Sequence, residues 1–150
     1  MKTRASVLMA IMLVSVLMAL PTPAQATTPA ENLLITADLQ IMGNGYAEGN
    51  FDISSPLFVD DSGNAYQSFK IVGGTVHGIK TLIGENGTIV IKFQARITPL
   101  GAVGCFVIIS GGGAYANLHG VGTSFATISE TGQILATYEG TAHCDPATCE

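Results

Sequence analysis

Residues 105–127 read CFVIISGGGAYANLHGVGTSFAT. Two apolar runs flank a glycine-rich corner, residues 111–120, that carries Tyr115 and His119. Short apolar runs bounded by glycines are typical of strands joined by turns, because glycine adopts the backbone angles that tight turns need. We therefore predict that this corner connects two strands of a β-sheet.

The flanking sequence has the two-residue alternation of half-buried strands, most clearly in residues 33–42 and 88–98. The apolar face of the second segment comprises Ile89, Ile91, Phe93, Ala95 and Ile97. Turn signals such as Asn44-Gly45 separate the segments. Residues 54–64, which contain Pro56 and the run Asp60-Asp61-Ser62-Gly63-Asn64, are predicted to form a loop. Eight such strand segments predict an all-β domain, an eight-stranded antiparallel closed β-barrel. At that strand number the interior is just filled by side chains or holds one small ligand.

The first residues have a different composition. Lys2 and Arg4 precede an apolar run over residues 5–20, and Ala24-Gln25-Ala26 supplies the small residues of a cleavage site. The run of 16 residues is shorter than the roughly 20 that span a bilayer. We predict a helical signal peptide over residues 1–26, a flexible N-terminus over 27–31, the barrel over 32–143 and a tail over 144–150. The protein would then be secreted, extracellular or periplasmic, with no membrane partner after cleavage.

The charge of the exported part excludes one class of partner. Removing residues 1–26 leaves four basic and 11 acidic residues, a net charge of 4 − 11 = −7. Such a chain repels phosphate backbones, so we expect no nucleic-acid partner. The three histidines, His77, His119 and His143, lack metal-ligand spacing, and we expect neither a metal nor a cofactor.

The three cysteines can form one bridge. In an up-and-down barrel Cys105 and Cys144 lie at opposite ends of strands, roughly 20–30 Å apart. A disulfide needs Cα atoms within about 7 Å. We therefore predict a Cys144–Cys149 disulfide and a free thiol at Cys105.

Aromatic residues are the candidate ligand contacts. Phe93, Phe125 and Tyr138 are predicted to line the apolar interior, and Tyr115 and His119 to line a barrel mouth. The orientation of the fourth strand is open, because either His77 or Lys80 can face inward. We expect Lys80 to lie outside, since burying a charge is costly.

Two segments resemble known families. IISGGGAYANLHGVGT, residues 108–123, and SFKIVGGTVHGIKTLIGENGTIVIKFQAR, residues 68–96, resemble small secreted bacterial proteins that share a G-x-G-A-Y-A-x-L-x-G-x-G pattern. The glycine corner also resembles that of the allene oxide cyclase and dirigent barrels of plants. The resemblance implies an allene oxide cyclase-like or calycin-like barrel, but no catalytic residue of the plant enzymes has a counterpart here.

Three functions remain open. The first is a secreted, non-catalytic barrel that holds a small apolar ligand, or none. The second is an allene oxide cyclase-like or dirigent-like isomerase or cyclase that steers a reactive intermediate in an apolar cavity. The third is a surface or matrix protein that acts through its exterior. All three are compatible with an oligomer. A cavity of a few hundred Å3 would favour the first two, because ligand pockets usually have that size.

Overall fold

The computed structural model describes residues 28–145 and residue 149. Each strand pairs antiparallel with the next and β8 pairs with β1, which confirms the predicted all-β, eight-stranded closed barrel. The strands are β1 (Glu31–Gly43), β2 (Tyr46–Ser55), β3 (Phe58–Val72), β4 (Thr75–Gly84), β5 (Gly87–Thr98), β6 (Gly101–Gly113), β7 (Leu118–Ile128) and β8 (Gln133–Cys144). The predicted signal peptide, residues 1–26, lies outside the described residues.

The barrel has two ends with different connections. The turns β1–β2, β3–β4, β5–β6 and β7–β8 lie at one end, which we call end A. The turns β2–β3, β4–β5 and β6–β7 lie at the other, end B, together with the start of β1 and the end of β8. Thr28 is tied to Cys144 at end B by two hydrogen bonds, of 3.0 and 2.7 Å.

Side chains alternate between the interior and the solvent along each strand, as the two-residue period predicts. In β5 the inward side chains are those of Ile89, Ile91, Phe93 and Ala95. Ile97, predicted to share their face, is exposed because it lies next to end A. Burial of four such side chains stabilises the register of β5, since a one-residue shift would turn them all to water.

The turns follow the sequence signals in part. Asn44 and Gly45 join β1 to β2 with φ angles of 51° and 73°, the left-handed values for which Asn-Gly is selected. Residues 54–64, expected to be a loop, instead contain a short turn at Pro56–Leu57 and the start of β3. Asp61 explains the difference, because its carboxylate is buried and bonded to the neighbouring β4–β5 turn.

Candidate functional site

End B is closed by a cluster around Tyr115. The Tyr115 ring is fully buried and packs edge-to-face on Phe58, with ring centroids 5.1 Å apart. Its hydroxyl donates a 2.9 Å hydrogen bond to Oδ2 of Asp61. The residue therefore seals the barrel from within, and does not line an open mouth as the sequence predicted.

The Asp61 carboxylate is held by four donors. It accepts the Tyr115 hydroxyl bond and backbone N–H bonds from Ser62, Glu85 and Asn86. Burial alone would raise the pKa of this carboxyl, but the hydrogen bonds outweigh it and hold the pKa below its ordinary value. Burial and the bond to Asp61 together raise the pKa of Tyr115. These groups fix the β4–β5 and β6–β7 turns to β3.

The middle of the barrel contains an aromatic cluster with a lysine. The Tyr138 ring is buried and meets Phe106 and Phe93 edge-to-face, at centroid distances of 5.4 and 6.3 Å. The amino group of Lys80 lies 4.7 Å from the centroid of the Tyr138 ring. Ser124, paired with Tyr138 across β7 and β8, also points inward.

Lys80 is the least expected residue of the interior. Its side chain is fully buried, so the expectation that it lies outside is wrong. Val76 and Leu82 face inward on β4, and the two-residue period forces Lys80 to do the same. Within the described residues, neither Lys80 Nζ nor Ser124 Oγ has a hydrogen-bond partner. Burial lowers the pKa of Lys80 to about 7, because desolvation penalises the charged amine.

The interior is nearly filled. A cavity of about 40 Å3 opens toward end A, lined mainly by apolar side chains with Gln67, Ser124 and Tyr138 among them. That volume holds about three water molecules. It is roughly a tenth of the volume of ordinary ligand pockets. A small molecule of ordinary size therefore does not fit inside the barrel as it stands.

The predicted ligand residues do not form one site. Phe93 and Tyr138 lie together in the interior, and their assignment as ligand contacts stays a prediction. Phe125 points outward and is 43% exposed, although its ring reaches the edge of the small cavity at end A. His119 is also exposed and stacks on His143, with ring centroids 5.4 Å apart. Among the described residues no group of three or more His, Cys, Asp or Glu could hold a metal ion.

The cysteines pair as expected. Cys144 and Cys149 form a disulfide with Cα atoms 5.6 Å apart, and Cys105 is a free, exposed thiol in the middle of β6. Cys144 is buried, so the bridge secures residue 149 against end B. Disulfides are typical of proteins from oxidising compartments.

A large concave surface lies on the outside of the barrel. A groove of about 640 Å3 runs across β3, β4, β5 and β6 and is bounded by the β1–β2 turn. We call it the outer groove. Its outward-facing residues form two rows across the four strands, one of Lys70, His77, Gln94 and Cys105 and one of Ser68, Ile79, Lys92 and Val107. Each row is about 14 Å long at the usual strand spacing.

The floor of the outer groove depends on a glycine. The ring of Phe93 lies against Gly78, where a Cβ atom would stand 2.4 Å from Cζ of the ring. Any larger residue at position 78 would therefore displace the Phe93 ring. Phe93, Phe69 and Phe106 border the groove although their residues belong to the inward-facing set.

The outer groove is the basic part of an acidic barrel. Lys70 and Lys92 line it together with His77, and no aspartate or glutamate is among its lining residues. Acidic side chains instead lie on β1, β2 and β8, for example Asp38 and Glu139, and at end B, where Asp60, Asp61 and Glu85 lie. The groove therefore carries positive charge on a protein whose net charge is negative, which the net charge of the sequence does not reveal.

Three features of the structure were not predicted from the sequence. Lys80 was expected outside, Asp61 was placed in a loop, and the outer groove was not foreseen. The burial of Lys80 could have been predicted, because Lys80 is separated from the apolar residues Val76 and Leu82 by even numbers of positions and therefore shares their face of β4. The groove had no such signal, because its two rows depend on the register between β3, β4, β5 and β6, which the alternation within a single strand does not specify.

Comparison with models of protein families gave no match, and comparison with curated proteins gave none either. Within residues 28–145 and 149 there is no helix with the length and hydropathy of a membrane span. Among solved structures, the barrel is similar to the pterocarpan synthase dirigent protein GePTS1, with a TM-score of 0.47 and 12% sequence identity. The similarity covers 80% of this chain and 92% of that chain. The identity is too low to transfer residue roles, and the resemblance to small secreted bacterial proteins stays a prediction.

Proposed function

We propose that this protein is an exported, non-catalytic binding barrel whose ligand is a small anionic amphiphile held in the outer groove. The observation that carries the proposal is the combination of about 640 Å3 of concave surface, apolar side chains and two lysines without an acidic residue among the lining. Ligand sites usually have volumes of about 300–1,000 Å3, apolar walls and a few polar groups that set the orientation.

The two rows of the groove suggest how such a ligand would lie. Ile79 and Val107 flank Lys92 in one row, on neighbouring strands. An aliphatic chain can cover the two apolar side chains while its carboxylate or sulfate pairs with Lys92 or with Lys70. Because an exposed ion pair contributes only up to about 1 kcal/mol, the apolar contact supplies most of the affinity and the lysines supply the preference for an anion.

The interior supports this choice over the alternatives that place a ligand inside. An isomerase that steers a reactive intermediate needs room for that intermediate, and the cavity between Gln67, Ser124 and Tyr138 measures about 40 Å3. Lys80 would be a candidate base or nucleophile in a larger cavity, but it is enclosed by the aromatic cluster. Export is supported by the signal-like residues 1–26 and by the Cys144–Cys149 disulfide.

The experiment is calorimetric titration of residues 27–150 with dodecanoate, below its critical micelle concentration, and with dodecanol. The barrel closes within residues 28–145, so this part contains every strand. We expect one dodecanoate per chain and weaker binding of dodecanol. Lys92→Glu should weaken dodecanoate binding by about tenfold, which corresponds to 1.4 kcal/mol.

Arg96→Glu is the matched control, because Arg96 is exposed on the same strand but does not line the groove. It changes the net charge equally and should leave the affinity nearly unchanged. Equal losses in the two variants would show a general charge effect and overturn the proposal. So would the absence of dodecanoate binding, or equal affinity for dodecanol.

A further inference from the structure

Two neighbouring hairpins at end A carry exposed apolar side chains at their tips. The β3–β4 hairpin exposes Ile71 and Val72, and the β5–β6 hairpin exposes Ile97, Leu100 and Val103. Leu100, in the turn itself, is 83% exposed. We call these five residues the apolar tips. Large apolar side chains concentrated at one place on a surface mark a site of interaction with a protein or a membrane.

The two hairpins form one continuous edge of the barrel. β4 and β5 are paired, with Thr75 opposite Arg96, and Ile97 donates a 2.9 Å backbone hydrogen bond to the carbonyl of Gly74. The tips are therefore held side by side and can enter an apolar medium together. Because the two hairpins are hydrogen-bonded to each other, insertion of the tips would remove mainly side chains from water and few unpaired backbone groups.

Basic residues adjoin both tips. Lys70 directly precedes Ile71, and Arg96 directly precedes Ile97; both cations are exposed. Residues 70–75 and 96–103 contain no acidic residue, whereas the exported chain as a whole has 11 acidic and four basic residues. Glu130 lies in the β7–β8 turn and Glu48 near the start of β2, outside these two hairpins.

We propose that the apolar tips insert into the surface of an anionic lipid bilayer, with Lys70 and Arg96 at the level of the headgroups. Proteins that lie in the membrane interface combine apolar side chains with flanking cations in this way, and anionic lipids attract basic residues near the surface. The sequence alone predicted no membrane partner after signal cleavage, and the proposal replaces that expectation.

Charge favours a bilayer over a second copy of the chain as the occupant. Two barrels that met symmetrically through these hairpins would bring Lys70 and Arg96 of one copy toward the same cations of the other. Anionic headgroups would instead neutralise both. The proposal does not depend on a ligand in the outer groove, although Lys70 belongs to both surfaces.

The test is co-sedimentation of residues 27–150 with vesicles of phosphatidylglycerol and phosphatidylcholine in equal parts. We expect binding that weakens in high salt and on vesicles of phosphatidylcholine alone, because surface charges are screened by salt. Leu100→Glu should lower the bound fraction at least about tenfold, because a charged side chain is expelled from the apolar layer.

Val59→Glu is the matched control, because Val59 is 80% exposed but lies at the start of β3 near end B. It should bind vesicles as the parent chain does, and circular dichroism should show both variants folded. Equal binding by Leu100→Glu, or an equal loss in Val59→Glu, would overturn the proposal. Sedimentation of the protein without lipid tests the other occupant. If the parent chain does not bind vesicles but forms a dimer that Leu100→Glu dissociates, the apolar tips bind a second copy of the chain instead.

Discussion

The amino group of Lys80 lies 4.7 Å from the centre of the Tyr138 ring, inside a barrel that offers it no hydrogen-bond acceptor among the described residues. The aromatic face compensates in part, since cation–π contacts are worth up to about 2 kcal/mol when desolvated. Burial nevertheless lowers the pKa of Lys80 to about 7. Lys80 therefore lowers the free energy of unfolding by an amount that depends on pH.

The first prediction concerns that pH dependence. Between about pH 7 and the ordinary lysine pKa of 10.5, the unfolded chain holds the Lys80 proton more firmly than the folded chain does. The free energy of unfolding should therefore rise with pH, by about 1.4 kcal/mol per unit from this residue. Below about pH 7 both states are charged and the contribution becomes constant.

Lys80→Met removes the titrating group and keeps an unbranched apolar stem. Urea denaturation should give a more stable barrel at neutral pH, by roughly 4 kcal/mol. The gain should shrink toward about pH 10. Lys92→Met, at an exposed position, serves as the control and should change little. Parallel pH profiles for the parent chain and Lys80→Met would show that Lys80 is not buried as the structure has it.

The second prediction concerns the seal at end B. Tyr115→Phe removes the 2.9 Å bond to Asp61 and leaves three backbone donors on the carboxylate. A hydrogen bond to a charged group is worth about 1.5–3 kcal/mol, so chemical denaturation should show a loss of that size. Tyr66→Phe, on the outer face of β3, should cost less than about 0.5 kcal/mol. Similar losses in the two variants would argue against the Tyr115–Asp61 contact.

The third prediction concerns the approach of Phe93 to Gly78. Gly78→Ala places a Cβ atom 2.4 Å from the ring, so the ring must move. Overpacking of this kind typically costs about 1–3 kcal/mol. Gly112→Ala, where a Cβ atom meets nothing within 4 Å, is the matched control. Adding Phe93→Leu should cancel part of the Gly78→Ala loss, and strict additivity in that double mutant would contradict the contact.

The fourth prediction concerns the disulfide. Cys144 and Cys149 are five residues apart, and closing so short a loop stabilises by about 2 kcal/mol at most. In a Cys105→Ser background, reduction should therefore lower the unfolding free energy by no more than about 2 kcal/mol and leave the barrel folded. The Cys105→Ser change itself should have little effect, because the thiol is exposed. Global unfolding on reduction would mean that the tail does more than close end B.

The barrel could be predicted from the sequence because strands and tight turns are determined by residues close together in the chain. Alternation in β1 and β5 identified the inward side chains, and Asn44-Gly45 marked the first hairpin. The candidate site was predicted poorly because it depends on neighbours distant in the chain. Phe125 was assigned to the interior from its aromatic character alone, whereas the inward positions on either side of it belong to Ser124 and Ala126.

Asp61 illustrates the same limit. A run of polar residues near a proline predicts a loop, but the donors that hold the Asp61 carboxylate come partly from Glu85 and Asn86, 24 and 25 residues away. Only the pairing of β3 with β4 brings them together. The outer groove likewise depends on strand pairing, because its two rows are assembled from residues of four paired strands.

The most direct test of the account is methyl NMR of residues 27–150 during titration with dodecanoate. Binding in the outer groove predicts shifts of the Ile79 and Val107 methyl resonances, which saturate together, and unchanged resonances for the buried methyls of Ile35 and Ile91. Shifts centred on the buried methyls, with Ile79 and Val107 unaffected, would place the ligand inside the barrel and contradict the central claim.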